Sequence, residues 1–225
     1  MKTKSKILLL TLCAVALVAA SVLGTLAYLT STDEVVNTFT VGQVKITLDE
    51  AQVNSDGKPI NTDGTVVTNL ADAERVKANS YKLLPGHEYT KDPTVTVLAG
   101  SESSYIKMTV TFSKAAELDA IFAPTGGANL TSIFNGYDST NWIYKGNTED
   151  TEANTRTYEF WYKETVAAPD ADVALDALFD QIKVPGTITN DQLASIAGMT
   201  ITVNAYAIQA DGFDTADAAW AAYTA

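Results

Sequence analysis

The sequence predicts an all-β fold, an antiparallel jelly-roll-like β-sandwich with short helical insertions and a C-terminal helix. Apolar and polar residues alternate in five segments, which is typical of strands with one buried face. Turn residues separate these segments and no strand–helix–strand unit repeats, so the pattern favours antiparallel over parallel sheets. The alternating segments are Val44–Leu48, Val95–Val97, Ile106–Phe112, Tyr158–Tyr162 and Met199–Ala205.

Helical signals interrupt the strand pattern. Thr189 and Gln192 have the spacing of a capping box, and Asp214 is placed to cap a C-terminal helix. An apolar stripe at i, i+3, i+4 and i+7 is formed by Leu175, Leu178, Phe179 and Ile182. The predicted helices are a short one within Ala71–Lys77, then Ala115–Phe122, Asp172–Lys183, Asp191–Ala197 and Thr215–Tyr223.

The N-terminus has the three parts of an export signal. Three lysines precede an apolar run from Ile7 to about Leu23, and Thr25-Leu26-Ala27 places small residues before a cleavage point. We predict that residues 1–27 are a signal peptide, cleaved between Ala27 and Tyr28. A retained membrane anchor is the alternative interpretation, because the apolar run approaches the length of a bilayer span.

The inward phase of the first strand slips at Gly42-Gln43. Phe39 and Val41 lie at odd positions, whereas Val44, Ile46 and Leu48 lie at even ones. A bulge or bend at Gly42 would keep both sets buried. The slip fits a kinked first strand, or a separately placed segment 28–41 followed by a single β-sandwich domain, 42–225.

A resemblance to a known family starts at this junction. Gly24-Thr-Leu-Ala-Tyr-Leu-Thr-Ser-Thr-Asp33, followed by Asn37-Thr-Phe-Thr-Val-Gly42, resembles exported Gram-positive proteins processed by a SipW-type signal peptidase, the TasA/camelysin family. Tyr81-Lys-Leu-Leu-Pro-Gly86, Lys91-Asp-Pro-Thr-Val95 and Asn204–Phe213 are similar to members of that family. No likeness is readable from about Lys114 to Gly198.

The resemblance implies a secreted structural protein of the biofilm matrix, a fibre subunit or accessory. It also implies donor-strand addition, in which the segment freed by cleavage pairs with an open sheet edge of another subunit. The candidate anchors of that strand are Val35, Val36, Phe39 and Val41. The expected partners are copies of itself or related matrix subunits, and the SipW-type peptidase during export.

Charge narrows the possible partners further. Removing Lys2, Lys4 and Lys6 from the 15 basic side chains leaves 12 against 27 acidic ones, a net charge of −15. No cluster of basic residues exists for nucleic acid, and anionic membrane is disfavoured after cleavage. Cys13 is the only cysteine and lies in the signal, so packing must stabilise the mature chain, or else an intramolecular Lys–Asn amide.

We predict no enzyme activity, no cofactor and no metal site. His87 is the only histidine, which excludes a two-histidine zinc motif. A camelysin-like peptidase is an alternative that the resemblance leaves, but no ligand set can be carried over. A monomeric carbohydrate-binding or adhesin module is another, because Trp142, Tyr144 and Trp161 are candidates for stacking on a sugar ring.

Overall fold

The structure is a computed structural model that describes residues 6–7, 10–18, 42–122 and 134–223. The chain divides into two compact units, Met1–Val41 and Gly42–Ala225. In the first unit residues 10–18 are helical and their apolar side chains are exposed. Within the described ranges no helix is both long and apolar enough to cross a membrane.

The second unit is an all-β fold with a few short helices, as the alternation predicts. Its first six strands are β1 (Ile46–Ala51), β2 (Arg75–Val76), β3 (Glu88–Thr90), β4 (Thr94–Val97), β5 (Ser101–Ser113) and β6 (Phe134–Asn135). The other six are β7 (Trp142–Asp150), β8 (Thr155–Tyr162), β9 (Val166–Ala168), β10 (Val173–Ala174), β11 (Gln181–Lys183) and β12 (Ile201–Gln209).

Among the described residues all strand pairs are antiparallel, and they form three sheets. The five-stranded sheet has the order β12-β5-β8-β7, with β9 on the end of β5. A four-stranded sheet has the order β10-β4-β1-β2, and a three-stranded sheet has the order β3-β11-β6. The architecture therefore agrees with an antiparallel β-sandwich.

Side chains from all three sheets meet in one hydrophobic core. Each sheet contributes residues with almost no exposed surface, as the central Phe112 and Phe160, Val95, and Tyr89 illustrate. The inward residues predicted for β5 are all buried, namely Ile106, Met108, Val110 and Phe112. The two-residue period of the sequence therefore located the buried face of the central strand.

Most of the helices predicted from capping residues and helix-breaking residues are present in the second unit. They are α1 (Ala115–Phe122), α2 (Asn190–Ser195) and α3 (Ala216–Ala222). Thr189 closes the predicted capping box with Gln192, and Thr215, rather than Asp214, is the N-cap of α3. The segment Ala71–Lys77 holds only part of a 3₁₀ turn, Leu70–Asp72, and the short strand β2.

The helix predicted over Asp172–Lys183 is wrong. This segment contains β10 and β11, joined by a stretch that follows β4. Its backbone N–H groups donate to β4 and the residue before it: Leu175 N to Val95 O at 2.9 Å and Leu178 N to Pro93 O at 3.2 Å. The apolar stripe is buried as expected, but sheet hydrogen bonds rather than a helical ladder satisfy its backbone.

Candidate functional site

An open groove runs between β1 and β12, the strands nearest each other from two different sheets. Its volume is about 1280 Å³, which exceeds the roughly 300–1,000 Å³ of ordinary small-molecule sites. The segments that line it are Ile46–Glu50, Lys77–Tyr81 and Ile196–Val203, together with single residues such as Leu83, Lys91, Leu193 and Ala205.

Each strand beside the groove presents a free backbone edge. From Ile46 to Asp49, β1 pairs with β4 on one side only, and β2 joins the other side at Glu50 and Ala51. Throughout its length β12 pairs with β5, and its other edge has no strand partner in the part of the chain that the structure describes. Free N–H and C=O groups on such edges are ready to pair with another strand.

The inner face of β12 is only partly covered. Ile201, Val203 and Ala205 alternate along the groove, and all three are half-buried. Their partners across the ladder, Phe112, Val110 and Met108, are almost completely buried. Because paired strands normally share one core face, the greater exposure of β12 indicates that apolar cover is missing over this edge.

The opposite wall of the groove is also apolar. Ile46 and Leu48 of β1 are half-buried, and so are Tyr81 and Leu83. Burial raises the pKa of the Tyr81 hydroxyl, and the charge of Glu50 adds to that shift. The phenol therefore stays protonated and donates to Thr90 O at 3.2 Å, which fixes its ring against the groove.

A buried polar cluster lies at the end of β1. Glu50 Oε2 is 2.5 Å from Lys91 Nζ, and both side chains are less than a tenth exposed. The other carboxylate oxygen, Glu50 Oε1, accepts from Asn79 Nδ2 at 2.9 Å. We call Glu50, Asn79 and Lys91 the β1 triad.

A second ion-paired group supports the same end of the strand. Arg75 Nε donates to Asp49 Oδ1 at 2.8 Å, and its Nη1 donates to Asp92 Oδ2 at 2.5 Å. Asp92 also accepts from the backbone N–H of Ala51 at 2.7 Å. These contacts hold β1, β2 and the segment before β4 together, so the groove wall is anchored at one end.

The cleavage site and the donor-strand anchors lie outside the described residues. Ala27, Tyr28, Val35, Val36, Phe39 and Val41 all belong to that part of the sequence. Gly42, where the inward phase slips, is the first residue of the second unit. Gly42 lies against the side chain of Glu102, and a Cβ added there would come within 2.9 Å of Glu102 Cγ.

The three sugar-stacking candidates do not form an exposed platform. Trp142 is buried, and its Nε1 donates to Asp176 O at 3.0 Å. Trp161 is covered by α3, with the Trp220 ring 6.1 Å away and Lys145 Nζ 3.8 Å from its ring centroid. Tyr144 is half-buried against Phe160, with ring centroids 5.6 Å apart.

The described ranges contain no candidate metal centre. No three His, Cys, Asp or Glu side chains there are grouped so as to hold an ion. His87 is exposed in the turn before β3, and its ring stacks on Tyr89 with centroids 6.3 Å apart.

The β1 triad is a feature that sequence reasoning missed, although one signal for it was present. Val44, Ile46 and Leu48 define the even, inward phase of β1, and Glu50 continues that phase. An acidic residue at an inward position needs a buried partner. The identity of that partner could not be read locally, because Lys91 lies 41 positions further along the chain.

Comparisons with known proteins add no family assignment. No protein-family model matches the chain, and no curated protein or solved structure matches it either.

Proposed function

We propose that this chain is an exported structural subunit of an extracellular matrix, and that it assembles by donating an N-terminal strand to the groove of another copy. The observation that carries the proposal is the groove, where two free strand edges flank an uncovered apolar surface. Strand addition uses such a site well, because the backbone supplies hydrogen bonds and alternate side chains enter the apolar cleft.

The proposed donor is the segment Tyr28–Val41. Its apolar residues Val35, Phe39 and Val41 share one phase, as a strand that buries one face requires. Fourteen residues span up to about 46 Å when extended, whereas the nine residues of β12 need about 30 Å. The segment is therefore long enough to cover the whole free edge of β12 and retain a linker.

The start of the domain is held by bonds to two neighbouring segments. Lys45 O accepts from Leu98 N, just after β4, at 2.9 Å, and Gln43 O accepts from Glu102 N of β5 at 2.9 Å. The proposal places the donated strand in a second copy rather than in the groove of its own chain. A head-to-tail contact between copies does not close on itself and produces filaments.

Charged groups at the end of β1 serve to hold the groove wall together. Glu50 pairs with Lys91, and Arg75 pairs with Asp92. The acidic chain, with a net charge of −15 after the proposed cleavage, suits an extracellular protein. The junction resemblance to the TasA/camelysin family points the same way.

The test is to change the donor and look for filaments by electron microscopy and sedimentation. Phe39→Asp and deletion of Tyr28–Thr38, each in the mature chain, should abolish filaments and leave a folded monomer. Thr40→Asp is the matched control, because it adds the same charge on the opposite face of the strand. It should still polymerise.

Two results would contradict the proposal. Filaments that persist after the deletion would show that the groove is not filled by this segment. If Phe39→Asp unfolds the monomer instead, Phe39 belongs to the domain's own core, and segment 28–41 is an ordinary first strand.

A further inference from the structure

We propose that Lys91 and Asn79 join in an intramolecular amide bond, formed autocatalytically with Glu50 as the proton carrier. Such a bond requires a lysine amine, a side-chain amide and a carboxylate that touches both, in a site shielded from bulk water. The β1 triad has all three components. The inference is independent of strand exchange between copies.

The carboxylate of Glu50 bridges the two groups that would react. Its Oε2 is 2.5 Å from Lys91 Nζ and its Oε1 is 2.9 Å from Asn79 Nδ2. Lys91 and Glu50 are 6% exposed as whole residues. Transfer of one proton from Lys91 Nζ to Glu50 Oε2 across this contact would leave a nucleophilic amine.

The amide of Asn79 is held in a suitable orientation. Its Oδ1 accepts from the backbone N–H of Val53 at 2.9 Å, and its Nδ2 also donates to Ala51 O at 2.8 Å. Attack of Lys91 Nζ on Asn79 Cγ would place negative charge on Oδ1. The Val53 N–H already points at that oxygen, so it would stabilise the intermediate as an oxyanion-hole donor does.

The step balances without any co-reactant. A bond forms between Lys91 Nζ and Asn79 Cγ, and the bond from Asn79 Cγ to Nδ2 breaks. The lysine nitrogen loses two protons and the departing nitrogen gains two, so one ammonium ion leaves. Glu50 contacts both nitrogens and can carry the protons between them. Glu50 and Lys91 are buried, whereas Asn79 is half-buried at the groove wall, which gives the departing ammonium a path to solvent.

The bond would close the loop from Asn79 to Lys91. This loop contributes Tyr81, Leu83 and Tyr89 to the groove wall. A covalent closure restricts the unfolded chain and so stabilises the folded one. After the proposed cleavage the chain has no cysteine for a disulfide, so this amide would be its covalent cross-link.

Peptide mapping of the purified full chain tests the proposal directly. Trypsin should fail to cut after an acylated Lys91, so we expect a branched product in which peptide 78–82 is joined to peptide 83–107. Its mass should be lower than the sum of the two by one ammonia. Succinimide formation, for which Asn135-Gly136 is the usual kind of site, also loses ammonia, but it gives no branched peptide.

Lys183 is an internal control. It pairs with Glu88 at 2.6 Å, but both side chains are exposed, and Glu88 has no amide among its hydrogen-bond partners. Trypsin should cut after Lys183 completely. Glu50→Gln and Lys91→Met should each restore the unmodified mass and give separate tryptic peptides. If either single variant fails to fold, the double variant serves instead, because it removes both buried charges together.

Recovery of unmodified peptides 78–82 and 83–91 from the folded wild-type chain would overturn the proposal, whatever the variants do. A folded Glu50→Gln chain that still contains the branched peptide would overturn the role given to Glu50.

Discussion

Val203→Asp on β12 tests the groove from the acceptor side. Val203 is half-buried at the centre of the groove wall, opposite the fully buried Val110. In the free monomer the new carboxylate keeps access to water through the open groove. We therefore expect a loss of about 1 kcal/mol in the free energy of unfolding, and a fall of about 2–4 °C in melting temperature for a domain of this size.

The effect on assembly should be much larger. A donor strand would bury position 203, so the variant loses about 1.5–3 kcal/mol of apolar burial. It also buries an unpaired carboxylate, which costs several kcal/mol more. A combined loss of about 4 kcal/mol weakens each contact between subunits by roughly a thousandfold.

Asn204→Asp is the matched control for this variant. Asn204 is the next residue of β12, it is exposed, and its side chain lies on the other face of the strand. The control adds the same negative charge without entering the groove, so its critical concentration for assembly should stay near the wild-type value. Sedimentation velocity and negative-stain microscopy measure assembly, and a thermal melt measures stability. A folded Val203→Asp chain that polymerises as readily as Asn204→Asp would refute the acceptor role of the groove.

Two further predictions concern processing and metal dependence. The exported form should begin at Tyr28, and mass spectrometry that finds residues 1–27 retained, or a lipid on Cys13, would contradict the signal-peptide interpretation. EDTA should leave the melting temperature and assembly unchanged, because the described ranges hold no group of side chains that could bind a metal ion. A fall of several degrees in the melting temperature would contradict this prediction and indicate a calcium site.

Local patterns predicted the strands well and one helix badly. Strand β5 was predictable because every second side chain from Ser104 to Phe112 is buried. The helix over Asp172–Lys183 was wrongly predicted because the buried side chains of this segment have helical spacing. Its backbone instead bonds to β4, a contact between residues about 80 positions apart, which no local window contains.

The candidate site was predictable only in part. The family resemblance implied a donor strand, whereas the phase slip at Gly42 fitted a kinked first strand equally well, and neither identified an acceptor. Stacking by Trp161 was a reasonable hypothesis from its polar phase, but α3 covers that face of the sheet with Trp220. Whether an outward aromatic is exposed depends on what else packs there, which the strand's own sequence does not contain.

By itself, the sequence determined the all-β class, the inward face of the alternating strands such as β5, the capped helices and the acidic composition. These depend on side-chain period and composition, which are local or additive properties. Only the tertiary structure decided that β1 and β12 flank an open groove, although they are about 150 residues apart. It also decided that Glu50, Asn79 and Lys91 meet, because that contact depends on how three separate segments cross in space.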